Sequence, residues 1–316
     1  MIRVASVDVG TNTIRLLIAE KGAGLKDLRK IVIKRDITRL GEDFIKNREI
    51  SPKAIRRSVS VLENYRDLLD EYNVTRTVAV ATSAVRDAVN RSEFLKEVYQ
   101  NTGLEIQVIS EQEEARITSI GVLSAIDDVV DGTVVVDIGG GSTEFIIIEG
   151  NAPAAVHSLD LGVVYLTERF VHSDPPNPLE LKNLGEFVDE RLSSMLKFSL
   201  EPRIAPPFSL VGTAGTITTL AAIDQEMETY NPDRINKHVL TRESVKDIYE
   251  RLNSVTLVER RSIPGLERGR EDIILAGTVI VLKIMEIFSS DQMMVSDYGL
   301  LEGIIIDGCA KAGMPA

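Results

Sequence analysis

The chain has 316 residues and a formal net charge of −12, with 44% hydrophobic and 27% charged residues. This length favours two domains around large cores, and the composition is typical of a globular protein. The acidic balance argues against broad nucleic-acid binding, and no uninterrupted apolar run approaches a membrane span. Cys309 is the only cysteine, and residues 1–10 predict a strand rather than a signal peptide, so we expect a cytoplasmic protein.

Residues 4–20, VASVDVGTNTIRLLIAE, predict the first pair of strands. An apolar run leads to Asp8, small or polar residues follow at Gly10, Thr11 and Asn12, and a second apolar run begins. A glycine turn lets backbone N–H groups approach an anion, because no Cβ shields them. An aspartate at a strand end is suited to a hard divalent cation. The alternative is a tight hairpin that uses glycine only for its backbone angles.

A basic segment, residues 26–57, follows with eleven Lys or Arg against five Asp or Glu. Two interpretations stay open, an anion-attracting rim on an acidic body and an ordinary solvated face. Within this segment, Ser51 and Pro52 predict the start of an amphipathic helix. After a strand predicted at residues 75–81 comes Arg86, for which a local ion pair is the alternative to a phosphate contact.

Residues 110–122, SEQEEARITSIGV, predict a helix with acidic residues in its first turn. Ser110 with Glu113 three residues later has the pattern of a capping box, which gives Glu113 a structural role. No such role falls to Glu114. An acid in a first helical turn is commonly a surface residue that complements the helix dipole, and this remains the alternative for Glu114.

Residues 133–150, TVVVDIGGGSTEFIIIEG, repeat the plan of the first strand pair. Asp137 ends an apolar run, Glu144 adds a second carboxylate, and between them lie the small residues Gly139, Gly140, Gly141 and Ser142. Dinucleotide-binding and Walker-type loops open a helix after their glycines. Here β-branched residues continue and no Gly-Lys-Ser/Thr is present, so both loop types are excluded. The repeat predicts a second strand pair with a similar turn.

The last third of the chain adds a further glycine turn, GTAGT at residues 212–216, after a short apolar run. Arg268 and Arg270 lie in a basic loop, with phosphate contacts and local ion pairs as alternatives. The three histidines lack metal-ligand spacing, and no serine lies in a G-x-S-x-G elbow. A final helix is predicted at residues 300–311.

Eight segments carry a family resemblance in chain order: DVGTNTIRL at Asp8, TRLGEDF at Thr38, ATSAVRDA at Ala81, ISEQEEARITSIGV at Ile109, DIGGGSTEF at Asp137, VGTAGT at Val211, IPGLERGREDIILAG at Ile263 and VSDYGLLEG at Val295. This ordered set resembles the exopolyphosphatase and guanosine pentaphosphate phosphohydrolase family of the actin-like ATPase superfamily. The resemblance implies an α/β protein with two actin-like (ribonuclease H-like) domains and an interdomain cleft. We expect the first domain at residues 1–121 with 300–316, and the second at 122–299.

The resemblance also implies magnesium-dependent hydrolysis of a terminal phosphoanhydride bond. Asp137 and Glu144, helped by Asp8, are the expected ligands of Mg²⁺ or another divalent cation. Glu114, the second acid of the EEAR run, is expected to activate water, with Arg86 on the terminal phosphoryl group. The expected phosphate-binding residues are Gly10, Thr11, Asn12, Gly139, Gly140, Gly141, Ser142, Gly212, Thr213 and Gly215.

Inorganic polyphosphate is the first expected substrate, and guanosine pentaphosphate is the alternative. A small-acid or sugar kinase and a non-catalytic phospho-ligand sensor are alternatives from other classes. No nucleic-acid or membrane partner is expected, and a homodimer is left open. Leu301 stands where the family usually has arginine, which argues against an inherited anion-binding or interdomain role at this position.

Overall fold

The computed structural model describes residues 2–22, 27–126, 130, 132–150, 152–196 and 208–311, without the side chains of residues 45 and 46. Residues 1 and 312–316 of the expected first domain, and residue 26 of the basic segment, lie outside these ranges. Within the described ranges, no helix combines the length and apolar character that a bilayer span requires.

The chain forms two compact units by its internal contacts. Unit 1 contains Met1–Ala125 and Tyr298–Ala316, and unit 2 contains Ile126–Asp297. The domain boundaries expected from the sequence lie close to this division and stay a prediction, as does the cleft between the domains.

Unit 1 is built on a mixed five-stranded sheet. Its strands are β1 (Ile2–Val9), β2 (Thr13–Lys21), β3 (Leu28–Ile37), β4 (Arg76–Ala81) and β5 (Ile106–Val108), in the order β3-β2-β1-β4-β5. The first three strands are antiparallel neighbours, whereas β4 and β5 run parallel to β1. This arrangement places the β1–β2 turn and the end of β4 at the same edge of the sheet.

The helices of unit 1 are α1 (Phe44–Asn47), α2 (Pro52–Glu71), α3 (Ser83–Asp87), α4 (Arg91–Thr102), α5 (Glu111–Ala125) and α13 (Leu300–Lys311). The predicted start of α2 is confirmed, since the Ser51 side chain accepts a hydrogen bond from the Ala54 amide and Pro52 is the first helical residue. Ile55, Leu62 and Tyr65 of α2 are buried against the sheet, which anchors the helix.

Helices α5 and α13 cross unusually closely at glycines. A Cβ atom on Gly121 would lie 1.9 Å from the Gly299 oxygen, and one on Gly303 would lie 1.9 Å from the Ile117 oxygen. Any side chain at these two positions therefore requires the backbones to separate. The helix that carries Glu114 is thus held against α13 by direct backbone contact.

Leu301, in the first turn of α13, is a core residue of unit 1. It is buried with Val4, Leu17, Ile305 and Cys309, on the face of α13 that covers β1 and β2. Leu301 therefore has a packing role in this cluster, and the absence of an inherited anion-binding role at this position stays a prediction.

Unit 2 contains a six-stranded sheet of related design. Its strands are β6 (Thr133–Ile138), β7 (Thr143–Glu149), β8 (Ala152–Leu159), β9 (Leu210–Thr213), β10 (Val239–Thr241) and β11 (Gln292–Val295), in the order β10-β11-β9-β6-β7-β8. β6, β7 and β8 are antiparallel neighbours, and β9 and β11 extend the sheet in parallel. Leaving out the edge strand β10, the order of strands repeats that of unit 1.

The helices of unit 2 are α6 (Val163–Phe170), α7 (Pro178–Met195), α8 (Ala214–Asp224), α9 (Pro232–Ile235), α10 (Arg242–Asn253), α11 (Leu257–Arg260) and α12 (Ile274–Ile287). α12 is almost entirely apolar, and its apolar residues are buried within the unit. The duplicated strand order, with helices on the sheets, confirms the predicted α/β class with two actin-like domains.

Candidate functional site

The first predicted turn joins β1 to β2 and is closed by a backbone hydrogen bond. The Gly10 amide donates to the Thr13 oxygen at 3.1 Å, and a Cβ atom on Gly10 would lie 3.0 Å from that same oxygen. The turn is therefore too tight for a side chain at position 10 without adjustment.

The second predicted turn joins β6 to β7 in the same way. The Gly139 amide donates to the Ser142 oxygen at 3.0 Å, and a Cβ atom on Gly139 would lie 3.3 Å from that oxygen. Asp8 precedes the first turn and Asp137 precedes the second at the same spacing. The sequence repeat is thus a repeat of backbone hydrogen bonding as well.

The first turn is held in place by hydrogen bonds to its carbonyl groups. The amides of Thr38 and Arg39 donate to the Asn12 oxygen at 3.0 and 2.9 Å, and the Gly41 amide donates to the Thr11 oxygen at 2.8 Å. The guanidinium of Arg57 donates to the Thr38 and Arg39 oxygens and so secures this bracing segment.

The second turn is braced by the start of α6. The amides of Val163 and Val164 donate to the oxygens of Gly139 and Gly140 at 3.1 and 3.0 Å. Gly162 allows this contact, because a Cβ atom there would lie 2.1 Å from the Gly141 carbonyl carbon. The helix can therefore approach the turn only through a glycine.

The bracing leaves amide groups available in both turns. Among the described residues, no acceptor pairs with the amides of Thr11, Asn12, Gly140 or Gly141. The carbonyl groups of Thr11, Asn12, Gly139 and Gly140 accept hydrogen bonds while the four amides above donate to no described acceptor, and this polarity suits an anion. The predicted roles of these residues in phosphate binding stay predictions.

The two strand pairs differ in the charges that flank their turns. Asp8 lies opposite Arg15 across β1 and β2, whereas Asp137 lies opposite Glu144 across β6 and β7. Residues directly opposite in an antiparallel pair project from the same face, so like charges there are destabilising.

The Asp8 carboxylate is held by Arg15. The Arg15 Nε donates to Asp8 Oδ2 at 2.8 Å, and its Nη2 donates to the same oxygen. The other oxygen, Oδ1, is buried and has no hydrogen-bond partner within the described part of the chain. Asp8 thus keeps one acceptor for a cation or a cation-bound water, although its charge is already paired.

The residues present in unit 2 fit a hard divalent cation. Asp137 and Glu144 offer carboxylate oxygens, and the Ser158 hydroxyl donates to Glu144 Oε1 at 3.0 Å, which orients that side chain. In the described ranges, no three His, Cys, Asp or Glu residues form a ready metal cluster. Mg²⁺ is commonly bound by one or two carboxylates together with waters and substrate phosphates, and the predicted metal site stays a prediction.

The predicted catalytic residues Arg86 and Glu114 meet in unit 1. Arg86 Nη1 donates to Glu114 Oε2 at 3.0 Å and to the Ile109 oxygen at 3.3 Å. Arg86 Nη2 also lies 3.5 Å from Glu111 Oε1. Glu114 is mostly buried, with 13% of its side chain exposed. The local ion pair considered for Arg86 is therefore present, and contact with substrate stays a prediction.

The capping box predicted at Ser110 and Glu113 is only half formed. The Ser110 hydroxyl accepts from the Glu113 amide at 3.2 Å, as predicted. However, the Glu113 carboxylate accepts from Arg116 at 2.8 and 2.9 Å and from Lys311 at 3.2 Å. The prediction of a reciprocal bond was wrong because charged donors on α5 and α13 outcompete a neutral backbone amide.

Arg116 connects the first turn of α5 to α13. Besides Glu113, it contacts Asp307 at 2.9 Å, and Lys311 contacts Asp307 at 2.8 Å. The Arg116 guanidinium, followed by Lys311, lowers the pKa of Glu113 to about 2. Glu113 therefore faces α13, while the next residue, Glu114, faces Arg86.

This low pKa gives a testable pH dependence of stability. Glu113 has a lowered folded-state pKa, so its stabilisation is fully present above the ordinary value of 4.5 and is lost as pH falls towards 2. The difference in melting temperature between wild type and Glu113→Gln should be constant above about pH 5 and shrink steadily below it. Thermal unfolding by circular dichroism across this range measures it, and a pH-independent difference would contradict the assignment.

The third glycine turn, residues 212–216, differs from the first two. It joins β9 to α8, with Ala214 in the left-handed region at φ 68°. Gly215 makes room for Arg270, because a Cβ atom there would lie 2.4 Å from Arg270 Nη2. Arg270 is buried and paired with Glu267, so the local ion pair considered for it is present. The predicted phosphate contacts of Gly212, Thr213 and Gly215 stay predictions.

The basic segment does not present all of its cations to solvent. Lys30 Nζ lies 2.8 Å from Glu302 Oε1 and 3.7 Å from the centroid of the Tyr298 ring. Glu302 is buried and also accepts from the Gly299 amide at 2.9 Å. Lys30 therefore stabilises the start of α13 and is not part of an anion-attracting rim.

The sequence model of the Ppx/GppA phosphatase family matches residues 17–312, which make up most of the chain. The chain belongs to the Ppx/GppA phosphatase family. The predicted resemblance is thereby confirmed.

Relatives of this Ppx/GppA chain include Exopolyphosphatase 2 of Mycobacterium tuberculosis, 36% identical over 96% of this chain and 98% of the relative. A bifunctional 3-dehydroquinate synthase/phosphatase of Fusobacterium nucleatum is 35% identical over 96% of this chain. The chain spans 46% of that bifunctional protein.

Solved structures of the family share the fold. The Aquifex aeolicus Ppx/GppA family member superposes with a TM-score of 0.81 at 36% identity, covering 98% of both chains. An exopolyphosphatase from Cytophaga hutchinsonii superposes with a TM-score of 0.87 at 27% identity, covering 97% of this chain and 98% of the other.

Sequence reasoning missed Arg15 and Gly162. The signal for Arg15 was present in the repeat, since aligning the two strand pairs places Arg15 on the position of Glu144. Gly162 carries no local signal, because its partner residues Gly140 and Gly141 precede it by two strands, β7 and β8.

Proposed function

We propose that this Ppx/GppA chain is an exopolyphosphatase, which hydrolyses the terminal phosphoanhydride bond of inorganic polyphosphate and releases orthophosphate. The observation that carries the proposal is the match, 36% identical over nearly the full length of both chains, to an exopolyphosphatase. Guanosine pentaphosphate is less favoured, because the relatives of similar length are named exopolyphosphatases.

The duplicated turns support a phosphate-binding role in this proposal. Phosphoryl transfer depends mostly on positioning and charge neutralisation, and bare amide groups supply both without a reorganisation cost. We assign phosphate contacts to the amides of Thr11 and Asn12 in the turn of unit 1 and, separately, to the amides of Gly140 and Gly141 in the turn of unit 2. The carbonyl groups of the two turns accept from amides of residues 38–41 and of α6, and these bonds hold each turn in place before substrate arrives.

Glu114 is the proposed general base. Its carboxylate is mostly buried and oriented by Arg86 at 3.0 Å, so it has a defined direction from which to accept a proton from water. Arg86 also has a second terminal nitrogen, Nη2, whose carboxylate neighbour Glu111 lies at the longer distance of 3.5 Å. We propose that this second nitrogen contacts a substrate phosphate.

Mg²⁺ is the proposed metal, and Asp137 and Glu144 are its proposed ligands. When bound, the ion would neutralise phosphate charge. The carboxylates lie opposite one another, and Ser158 orients Glu144 from the next strand. A single-charge change at Asp137 tests this assignment with little change in shape.

Asp137→Asn is expected to weaken both Mg²⁺-dependent activity and Mg²⁺-dependent stabilisation, because an amide oxygen carries no charge. A ligand that binds only the folded state raises the melting temperature, so wild type should melt higher with Mg²⁺ and the variant should not. The control is Glu149→Gln, which removes an exposed carboxylate from the end of β7. An unchanged magnesium titration in Asp137→Asn would remove this residue from the metal site.

The function itself is tested by measuring phosphate release from tripolyphosphate, long-chain polyphosphate, guanosine pentaphosphate and ATP in parallel. Release from polyphosphate at the highest kcat/KM supports the proposal. Preference for guanosine pentaphosphate would overturn it, and phosphate transfer from ATP to a small acid or sugar would indicate a kinase. Binding of polyphosphate with no release would indicate a sensor.

A further inference from the structure

Two arginines of unit 2 share one aromatic ring. Arg169 Cζ lies 4.5 Å from the centroid of the Phe187 ring, and Arg191 Cζ lies 5.1 Å from the same centroid. Phe187 is itself packed against Phe170, with ring centroids 5.2 Å apart. Arg169 also donates to the Tyr165 hydroxyl. We call these five residues the arginine–aromatic patch, and both of its arginines are exposed.

The charge of the patch is not balanced by acidic side chains. Throughout the described part of the chain, no carboxylate oxygen lies within 4.0 Å of a nitrogen of either arginine. Two acids of α7 flank Phe187, yet Glu186 is 3.7 Å from Lys182 and Asp189 is 2.8 Å from Lys283. Two uncompensated guanidinium groups around one ring are unexpected in a chain of net charge −12.

The stacking leaves the binding groups of the arginines in place for an anion. A guanidinium that lies over an aromatic face has its N–H groups in the plane around its edge, away from the ring. Those edges match phosphate geometry and form charge-assisted hydrogen bonds. The ring holds the guanidinium groups and thereby reduces the entropy lost when an anion binds.

The patch is continuous with the second glycine turn through α6. The amides of Val163 and Val164 bind the turn, and Arg169 lies six residues further along the same helix. At the helical rise of about 1.5 Å per residue, Arg169 is roughly 9 Å along the axis from the turn. This separation exceeds a single phosphoryl group but is within the reach of a linear chain of several phosphates.

We propose that the arginine–aromatic patch is a second phosphate-binding subsite, which holds a distal part of a polyphosphate chain whose end lies at the second glycine turn. The inference rests on the proposed function and extends it to chain-length preference. A nucleotide is less suited, because the aromatic faces that would stack on a base are already covered by guanidinium groups. The subsite adds affinity for long chains and contributes nothing to short ones.

The test compares KM for long-chain polyphosphate and tripolyphosphate in Arg169→Gln, Arg191→Gln and the double variant. Each single change should raise KM for the long chain by about fivefold, which is the effect expected when one exposed charge contact is lost. The kinetics with tripolyphosphate should be unchanged. The slope of log KM against log salt for the long chain should also fall by about one per arginine. Lys182→Gln is the matched control, because it removes an exposed positive charge from the same helix.

The outcomes separate this inference from the proposed function. If wild type releases phosphate from both substrates and the arginine variants change both KM values equally, or neither, the subsite is overturned and the activity stands. If Lys182→Gln has the same effect as Arg191→Gln, general charge explains the result and the subsite is also overturned. If wild type releases no phosphate from either polymer, the proposed function is overturned and this inference with it.

Discussion

Glu114→Gln is expected to lower kcat by ~10²–10⁴-fold, the usual contribution of a positioned general base. Glutamine keeps the size of the side chain and its contact with Arg86, which lies 3.0 Å from the carboxylate in wild type. The glycine turns lie on other elements, so KM for polyphosphate should remain near the wild-type value. Steady-state phosphate release and thermal melting of the same preparations measure both effects.

Glu113→Gln is the internal control for this experiment. It removes the same charge from the neighbouring position, where the carboxylate binds Arg116 and Lys311 and faces α13. We expect a lower melting temperature with kcat within a few-fold of wild type. Equal losses of kcat at the two positions would indicate a general charge effect. The reverse order would show that Glu113 is the base.

Gly303→Ala is expected to destabilise the protein by at least about 1–3 kcal/mol, the range for overpacking in a close-packed interior. The new Cβ atom would lie 1.9 Å from the Ile117 oxygen and 2.8 Å from its carbonyl carbon. These are backbone atoms, so α5 and α13 must move apart. Because Ile117 is on the helix that carries Glu114, kcat should fall together with the melting temperature.

Gly308→Ala on the same helix is the matched control. Its Cβ atom would meet only Val78 Cγ2 at 3.4 Å, which is an ordinary contact. Alanine also favours helix over glycine by up to about 1 kcal/mol, so this variant should melt at or above the wild-type temperature. If both alanine variants melt alike, helix propensity outweighs the close crossing and our account of that crossing is wrong.

The parts of the site that local sequence specifies were predictable. Two strand pairs are predicted from Asp8 with Gly10 and from Asp137 with Gly139. Such a pattern can be read from the sequence because a strand and its turn are specified by residues only a few positions apart. These patterns do not specify the order of the strands in each sheet, and the family resemblance implied only the actin-like fold. The same short-range logic correctly predicted the start of α2 at Ser51 and Pro52.

The parts that depend on distant partners were not predictable. Glu113 fits a capping box, yet Arg116 one turn later and Lys311, far along the chain, supply stronger partners. Lys30 belongs to a basic segment by composition, yet a buried carboxylate on α13 pairs with its charge. In both cases an ion pair with a residue of α13 contributes to a role that the local pattern does not predict. A single sequence contains no record of which distant charge will be buried beside which.

The position of α13 has a consequence for how the protein folds during synthesis. Unit 1 is discontinuous, since Met1–Ala125 precede unit 2 and Tyr298–Ala316 follow it. Until α13 leaves the ribosome, the groove at Gly121 and the apolar cluster at Leu17 have no cover from that helix. Unit 2 is continuous and can complete its core first, although it is made second. The part of unit 1 that is made first must therefore wait, with apolar surface exposed, for a helix that is made only after unit 2.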